Sequence, residues 1–329
     1  MGTLKLSAIW EKQGLLFDPR ALTERPDWMF GFAQAPNVLM FDDFIRVYFC
    51  CRPKVGADRQ YVSYGAFVDL SKGNLFEVIR VSEHPIMDLG SIGTFDEFGT
   101  YPISVLRDHG GIIAAYGGWT RCESVPFNIS LGLAHSDDEG LTFSKYGAGP
   151  VLSHSPDEPF VVTSPKLRKF KDKFFLFYTA GRRWIIADDG QPEIVYKLRT
   201  ASSVDGINWV KLNRDIVEDK LGVDEAQACP DVFQKDGVYH MFFCYREGLD
   251  FRNSKERSYR IGYARSTDLE NWRRDDSQVN LHPSIDGWDS QMIAYPTVFE
   301  VNNSIYMIYV GNGNGQTGFG LAKLNGELS

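Results

Sequence analysis

Residues 226–246 read AQACPDVFQKDGVYHMFFCYR: an apolar run interrupted by Pro230, a polar turn at Lys235-Asp236-Gly237, and a second run rich in aromatic residues. Alternating apolar positions on either side of a Gly-containing turn spell a β-hairpin. A proline inside its first strand removes a ladder donor and marks an irregular point. The same unit recurs at AQAPNVLMF (Pro36), FGTYPISVL (Pro102), VVTSPKLRKF (Pro165) and MIAYPTVFE (Pro296), at intervals of 66, 63, 65 and 66 residues. Each proline is followed by a polar turn, such as Asp42-Asp43, His109-Gly110-Gly111, Lys171-Asp172-Lys173 or Asn302-Asn303, and then by IRVYFCCR, IIAAYGGW, FFLFYTAGRRW or IYMIYVGN.

A third strand ends on a small residue in each repeat, around Gly65, Ala134, Ala201, Ala264 and Ala322. Three of these run into SDDEGLTF, SSVDGINW and RSTDLENW, whose Asp and Gly suit tight turns and whose Phe143, Trp209 and Trp272 open a fourth strand. Five repeats of four antiparallel strands, without helical periodicity between them, predict an all-β, five-bladed β-propeller. A pair of β-sandwiches and a six-bladed ring are the competing folds; only five repeats can be counted. The last repeat lacks its outer strand. The N-terminal segment WEKQGLLF resembles FSKYGAGPVL, WVKLNRDIVE and WRRDDSQVNL, so a strand at about residues 8–18 is expected to complete blade 5 and remove an open sheet edge. Residues 1–329 are then read as one domain.

Composition narrows the function. Thirty-five Lys and Arg against 43 Asp and Glu leave a net charge of −8, which argues against affinity for nucleic acid or anionic membranes. The cysteines, Cys50, Cys51, Cys122, Cys229 and Cys244, form no CxxC pair, and the six histidines show no metal-ligand spacing. Neither a disulfide framework, a metal nor another cofactor is expected. Without an apolar leader, the chain is read as cytoplasmic.

Inner-strand starts and second-strand ends share one face of a propeller. On that face the pre-proline loops carry Asp96-Glu97, Asp157-Glu158, Asp224-Glu225 and Asp289, while the strand ends carry Arg52, Trp119, Arg182, Arg183, Trp184, Arg246 and Asn312. Acid pairs with aromatic platforms suit glycoside chemistry. Asp96-Glu97 and Asp224-Glu225 stand at equal distance from Pro102 and Pro230. From that register Glu225 is expected as general acid, Asp96 as base or nucleophile, and Asp289 as the group orienting them. Glu97, Trp119, Arg182, Arg183, Trp184, Arg246, Tyr295 and Asn312 are the expected substrate contacts, the arginines forming an anion subsite.

The five-fold pattern, the A-x-S-x-D-G-x-x-W blade edges and the closing GNGNGQTGFGLA resemble the five-bladed propeller superfamily of glycoside-processing enzymes: arabinanases and xylosidases, invertases and levansucrases, mannoside phosphorylases. The resemblance spans essentially the whole chain. It implies a catalytic Asp directly before the proline of early blades and an acid Glu two residues before it in a later one. Those places hold Ala35, Tyr101, Ser164 and Cys229, with Thr163 and Ala228 two before, so the chain reads as a side branch. A glycoside hydrolase acting on an oligosaccharide or sugar conjugate, an anionic one where the arginines read it, is the first expectation. A phosphorylase or transferase with an Arg-lined anion site, and a glycan-binding propeller without turnover, are the alternatives.

Overall fold

A computed structural model describes residues 8–56, 61–109 and 111–328. It contains five four-stranded antiparallel sheets. The N-terminal strand β1, Ile9–Phe17, belongs to blade 5; blade 1 runs outward as Gly31–Met40 (β2), Phe44–Arg52 (β3), Tyr64–Ser71 (β4) and Val78–Val81 (β5). Blade 2 is Gly99–Asp108 (β6), Gly111–Arg121 (β7), Phe127–Ser136 (β8) and Ser144–Lys145 (β9). Blade 3 is Val162–Phe170 (β10), Lys173–Ile186 (β11), Pro192–Ser203 (β12) and Val210–Lys211 (β13). Blade 4 is Ala226–Lys235 (β14), Val238–Arg246 (β15), Arg260–Ser266 (β16) and Arg273–Arg274 (β17). Blade 5 is Ala294–Val301 (β18), Ser304–Val310 (β19) and Phe319–Asn325 (β20), completed by β1. The first strands touch in sequence around the ring, β18 closing on β2.

The hairpin chemistry explains this order. Lys171-Asp172 and Asn302-Asn303 have positive φ at both residues, the primed turn whose twist matches two paired strands. Gly110, in the corresponding turn of blade 2, lies outside the described residues. At the far ends of the third strands, Asp138, Asp205 and Asp268 each accept a hydroxyl from the serine two residues before and amide protons from the turn that follows. β1 pairs with β20 from Ile9 opposite Asn325 to Phe17 opposite Phe319, and Trp10 meets Phe242 of blade 4 edge-on at 5.4 Å. The ring is therefore fastened by the two chain ends.

Candidate functional site: the axial mouth

Every inner hairpin slips register across its proline, between Gln34 and Asn37, Thr100 and Ile103, Thr163 and Lys166, Ala228 and Asp231, and Ala294 and Thr297. The cause is local: proline offers no amide to the ladder, so the strand bulges there. Ala35, Ser164, Cys229 and Tyr295 hold φ near +50°, and the Tyr101-Pro102 peptide is cis. Left-handed geometry in non-glycine residues costs energy and clusters at functional positions.

The bulges turn the pre-proline side chains onto the axis. The Tyr101 phenol lies among Arg52 and Cys50 of blade 1, Cys229 of blade 4 and Tyr295 of blade 5, a set that can surround one residue only at the centre of the ring. Tyr295 in turn faces Tyr101, Cys229, Tyr259 and Tyr196. Below them, a cavity of about 30 Å³ is lined by the five prolines with Ser164, Lys166, Cys229 and Tyr295. It has room for about one or two waters. The Cys229 thiol lies 3.3 Å from Ser164 Oγ.

The phenols and thiols of this floor are protonated and uncharged where nucleophiles would be needed. Burial pushes the phenols of Tyr101 and Tyr295 and the Cys229 thiol up, and raises the Cys50 thiol to about 12. Lys166, deeper on the axis, is drawn down by burial to about 8, against the opposing effect of Asp231. Asp231 is fully buried and binds Lys166 at 3.2 Å, Arg168 at 2.7 Å and the Val298 amide of the next blade at 2.5 Å. It ties blades together.

The expected acids do not converge on this floor. Asp96, 1% exposed, accepts the Tyr116 hydroxyl at 2.9 Å and pairs with Lys145 at 2.6 Å. Glu158, which is fully buried, accepts the Tyr178 hydroxyl at 2.7 Å and pairs with Arg199 at 3.0 Å and with Lys211. Glu225, likewise fully buried, takes Arg274 at 2.6 Å, Gln227 at 2.9 Å, and the amides of Lys220 and Leu221 at 2.8 Å each. Asp289, 2% exposed, takes Lys12 at 2.6 Å and the Tyr309 hydroxyl at 3.0 Å. The four cations stand on the outer strands, opposite Ala134, Ala201, Ala264 and Ala322. Each acid thus clasps the loop entering a blade to that blade's own face. A close approach makes this possible in blade 2: a Cβ on Gly132 would lie 2.5 Å from the Tyr116 ring.

The structure holds the expected acids apart. Asp96, Glu225 and Asp289 occupy three separate clasps and form no shared acid pair. Asp96 and Glu225, one position apart when counted from their prolines, play the same part; Glu97 accepts the Gly93 amide and Asp224 pairs with Arg183.

The expected anion subsite is also dispersed. Arg246 is 1% exposed, gives its terminal nitrogens to the carbonyls of Glu247, Gly248 and Ile194, and lies 3.5 Å from the Phe251 ring centre. Arg182 is turned onto the Asp157 carbonyl at 2.6 Å. Trp184 packs edge-on against Phe127 at 5.8 Å. Asn312 donates to the Gly287 carbonyl at 3.0 Å and accepts the Gln291 amide at 2.7 Å, fixing a loop. The glycine-rich segment forms one short turn over Asn312–Gly315 in which Gly313 and Asn314 are left-handed. Of the expected contacts, Tyr295 reaches the axis and Trp119 the adjoining wall. Register counting missed Tyr101, which fills the centre, and Gln34, Ser63 and Thr100 beside it; the position before each proline was the available signal.

The fold is that of the five-bladed propeller glycoside hydrolases. A solved glycoside hydrolase superposes with a TM-score of 0.74 at 18% identity, covering 95% of this chain and 91% of its own. A structure from a study of the GH130 mannoside phosphorylase family, reporting hydrolases that target β-1,2 mannosidic linkages in Candida mannan, superposes with a TM-score of 0.71 at 14% identity, covering 98% and 95%. No protein-family profile matches the chain. At the level of sequence, the chain belongs to the family of the uncharacterized protein Rv1502 of Mycobacterium tuberculosis, with 32% identity over 317 residues, 96% of this chain and 99% of that protein. No helix among the described residues is long and apolar enough to cross a membrane.

Proposed function

We propose that this protein is a carbohydrate-active propeller that holds a glycan at the axial mouth and does not cleave it with a pair of carboxylates. One observation carries the reading: the positions where the resemblance places catalytic acids hold Ala35, Tyr101, Ser164 and Cys229, while Asp96, Glu225 and Asp289 spend their oxygens on blade clasps. Two-carboxylate hydrolysis needs one acid at the leaving oxygen and another at the anomeric carbon or its water. The floor, lined by no carboxylate among the described residues, meets neither need. Aromatic rings and unshared polar groups around it suit recognition of a sugar's C–H faces and hydroxyls. Superposition on glycosidases supports the ligand class, and a net charge of −8 supports sugar over nucleic acid or membrane. A cytoplasmic setting belongs to the same proposal and agrees with five unpaired cysteines.

The test combines capture on a glycan array with turnover assays on the captured glycans, with and without inorganic phosphate. Capture without turnover is expected. Hydrolysis that falls about 100-fold in Glu225→Gln at an unchanged melting temperature would restore the paired-carboxylate expectation. Sugar release that depends on phosphate would make the protein a phosphorylase.

A further inference from the structure

The seam between blades 1 and 2 gathers buried polar atoms that no oxygen or nitrogen of the described residues satisfies. Thr100 Oγ1 and Ser63 Oγ belong to fully buried residues, Gln34 Oε1 to one that is 3% exposed, and Arg52 Nε and Trp119 Nε1 are buried beside them; among the described residues none of these atoms has an oxygen or nitrogen hydrogen-bond partner, the Cys50 thiol alone lying against Ser63 and Arg52. Their proximity follows from the pairing. Gln34 stands opposite Cys50, whose thiol neighbours Arg52 and Ser63. Ser63 bridges to Gly99 beside Thr100, and Trp119 pairs with Gly99, where a Cβ would lie 1.7 Å from the indole nitrogen. Tyr101, reaching from the same strand to the axis, meets Arg52. Such atoms are costly when unsatisfied, and their grouping beside a funnel marks a place where a ligand supplies the partners.

Arg52 sets the charge of that ligand. Its guanidinium lies 4.7 Å from the Phe32 ring centre and 4.6 Å from that of Tyr61, and these rings stand nearly perpendicular, forming a corner that fixes the group. Among the described residues no carboxylate pairs with it, whereas Arg183 holds Asp224, Arg252 holds Glu193 and Arg257 holds Asp250. An arginine pre-positioned on aromatic rings, with a buried Nε–H unspent, is suited to an anionic group.

We infer that this seam is a subsite for an acidic sugar, whose anionic group is read by Arg52 and whose hydroxyls are taken by Gln34, Ser63 and Thr100. The inference rests on the proposed glycan binding and deepens it. The experiment is an array bearing neutral, carboxylated and phosphorylated glycans, probed with the wild type, Arg52→Met and Thr100→Val, followed by calorimetry on one captured acidic glycan. Wild type is expected to prefer anionic glycans, the two acidic arms telling carboxylate from phosphate. Arg52→Met should weaken binding about 10- to 100-fold, as for loss of a charge-assisted hydrogen bond. Thr100→Val, isosteric and relieving a buried hydroxyl, should keep or raise the melting temperature while weakening binding about 5-fold or more. Equal capture of neutral glycans, unaffected by Arg52→Met, overturns the acidic subsite and leaves glycan binding standing. Capture of no glycan overturns both.

Discussion

Replacing Glu225 with Gln separates a catalytic acid from a clasp. The variant keeps the shape but leaves the Arg274 guanidinium, whose side chain is fully buried, with Asp276 at 3.0 Å as its one charged partner among the described residues. It also puts an amide where one carboxylate oxygen accepts the Lys220 and Leu221 amides at 2.8 Å. If the new NH2 takes that place, two donors face it; if the amide flips, it faces Arg274. Breaking a buried ion pair from one side costs about 3–5 kcal/mol. An unfolding entropy of about 2.1 cal/mol/K per residue, over 329 residues, converts this to a fall in melting temperature of about 4–7 °C.

The assay is scanning calorimetry of wild type, Glu225→Gln, Arg274→Met and the double variant. The double variant should recover part of the loss, because it removes both buried charges and their mutual dependence. Affinity for any glycan captured by the wild type should stay within about 2-fold in folded Glu225→Gln, since the clasp lies on the blade face, away from the pre-proline floor. A melting temperature within 1 °C of wild type, or additive losses in the double variant, would refute the clasp.

Further outcomes follow from the axis, the ring closure and the thiols. Lys166 titrates near 8 in the folded protein against an ordinary 10.5; between these values the unfolded chain keeps the proton and the folded chain sheds it, so its contribution to stability rises with pH, by about 3 kcal/mol over the window. Lys166→Met should therefore lose stability relative to wild type by that amount from pH 7.5 to 10.5 in denaturant titrations, and parallel curves would count against it. Deleting residues 1–17 removes β1 and with it Trp10 and Lys12, exposing the β20 edge; the truncated protein should melt far lower or associate, and a monomer with the wild-type melting temperature would contradict ring closure. Cys122 is the exposed thiol, while Cys50, Cys51 and Cys244 are buried and Cys229 is partly so; an aromatic disulfide reagent should titrate one equivalent quickly and the others only on unfolding, and several fast equivalents would show an open axis.

The architecture was legible because it is written five times. One Pro-containing strand is ambiguous, but five at nearly constant spacing, each followed by a turn able to adopt positive φ, leave little choice of fold. The missing outer strand of blade 5 could be found at the other end of the chain by the same means. The site was harder to read because the acids recur for an architectural reason. Counting back from the prolines finds Asp96, Glu158, Glu225 and Asp289 but not the partners that use them, which lie 49 or 53 residues downstream in blades 2 to 4 and 277 residues away, at Lys12, in blade 5.

A signal for those partners was nevertheless present. The outer strands read Phe143-Ser-Lys145, Trp209-Val-Lys211, Trp272-Arg-Arg274 and Trp10-Glu-Lys12: an aromatic residue, a spacer and a cation, in the four blades whose entering loops carry a buried acid. Four cations repeated in step with four carboxylates are the mark of ion pairing, since a catalytic pair would break the symmetry of the ring. Blade 1 has neither half of the pattern. Its outer strand, Val78–Val81, contributes Arg80 to Asp69 on the neighbouring strand, which also holds Arg46. The blade that departs from the repeat is the one in which Arg52, at the mouth, pairs with no carboxylate of the described residues. In a ring held together by repetition, departures from the repeat are where function is to be sought: the residue before each proline, which differs in nearly every blade, and the seam beside blade 1.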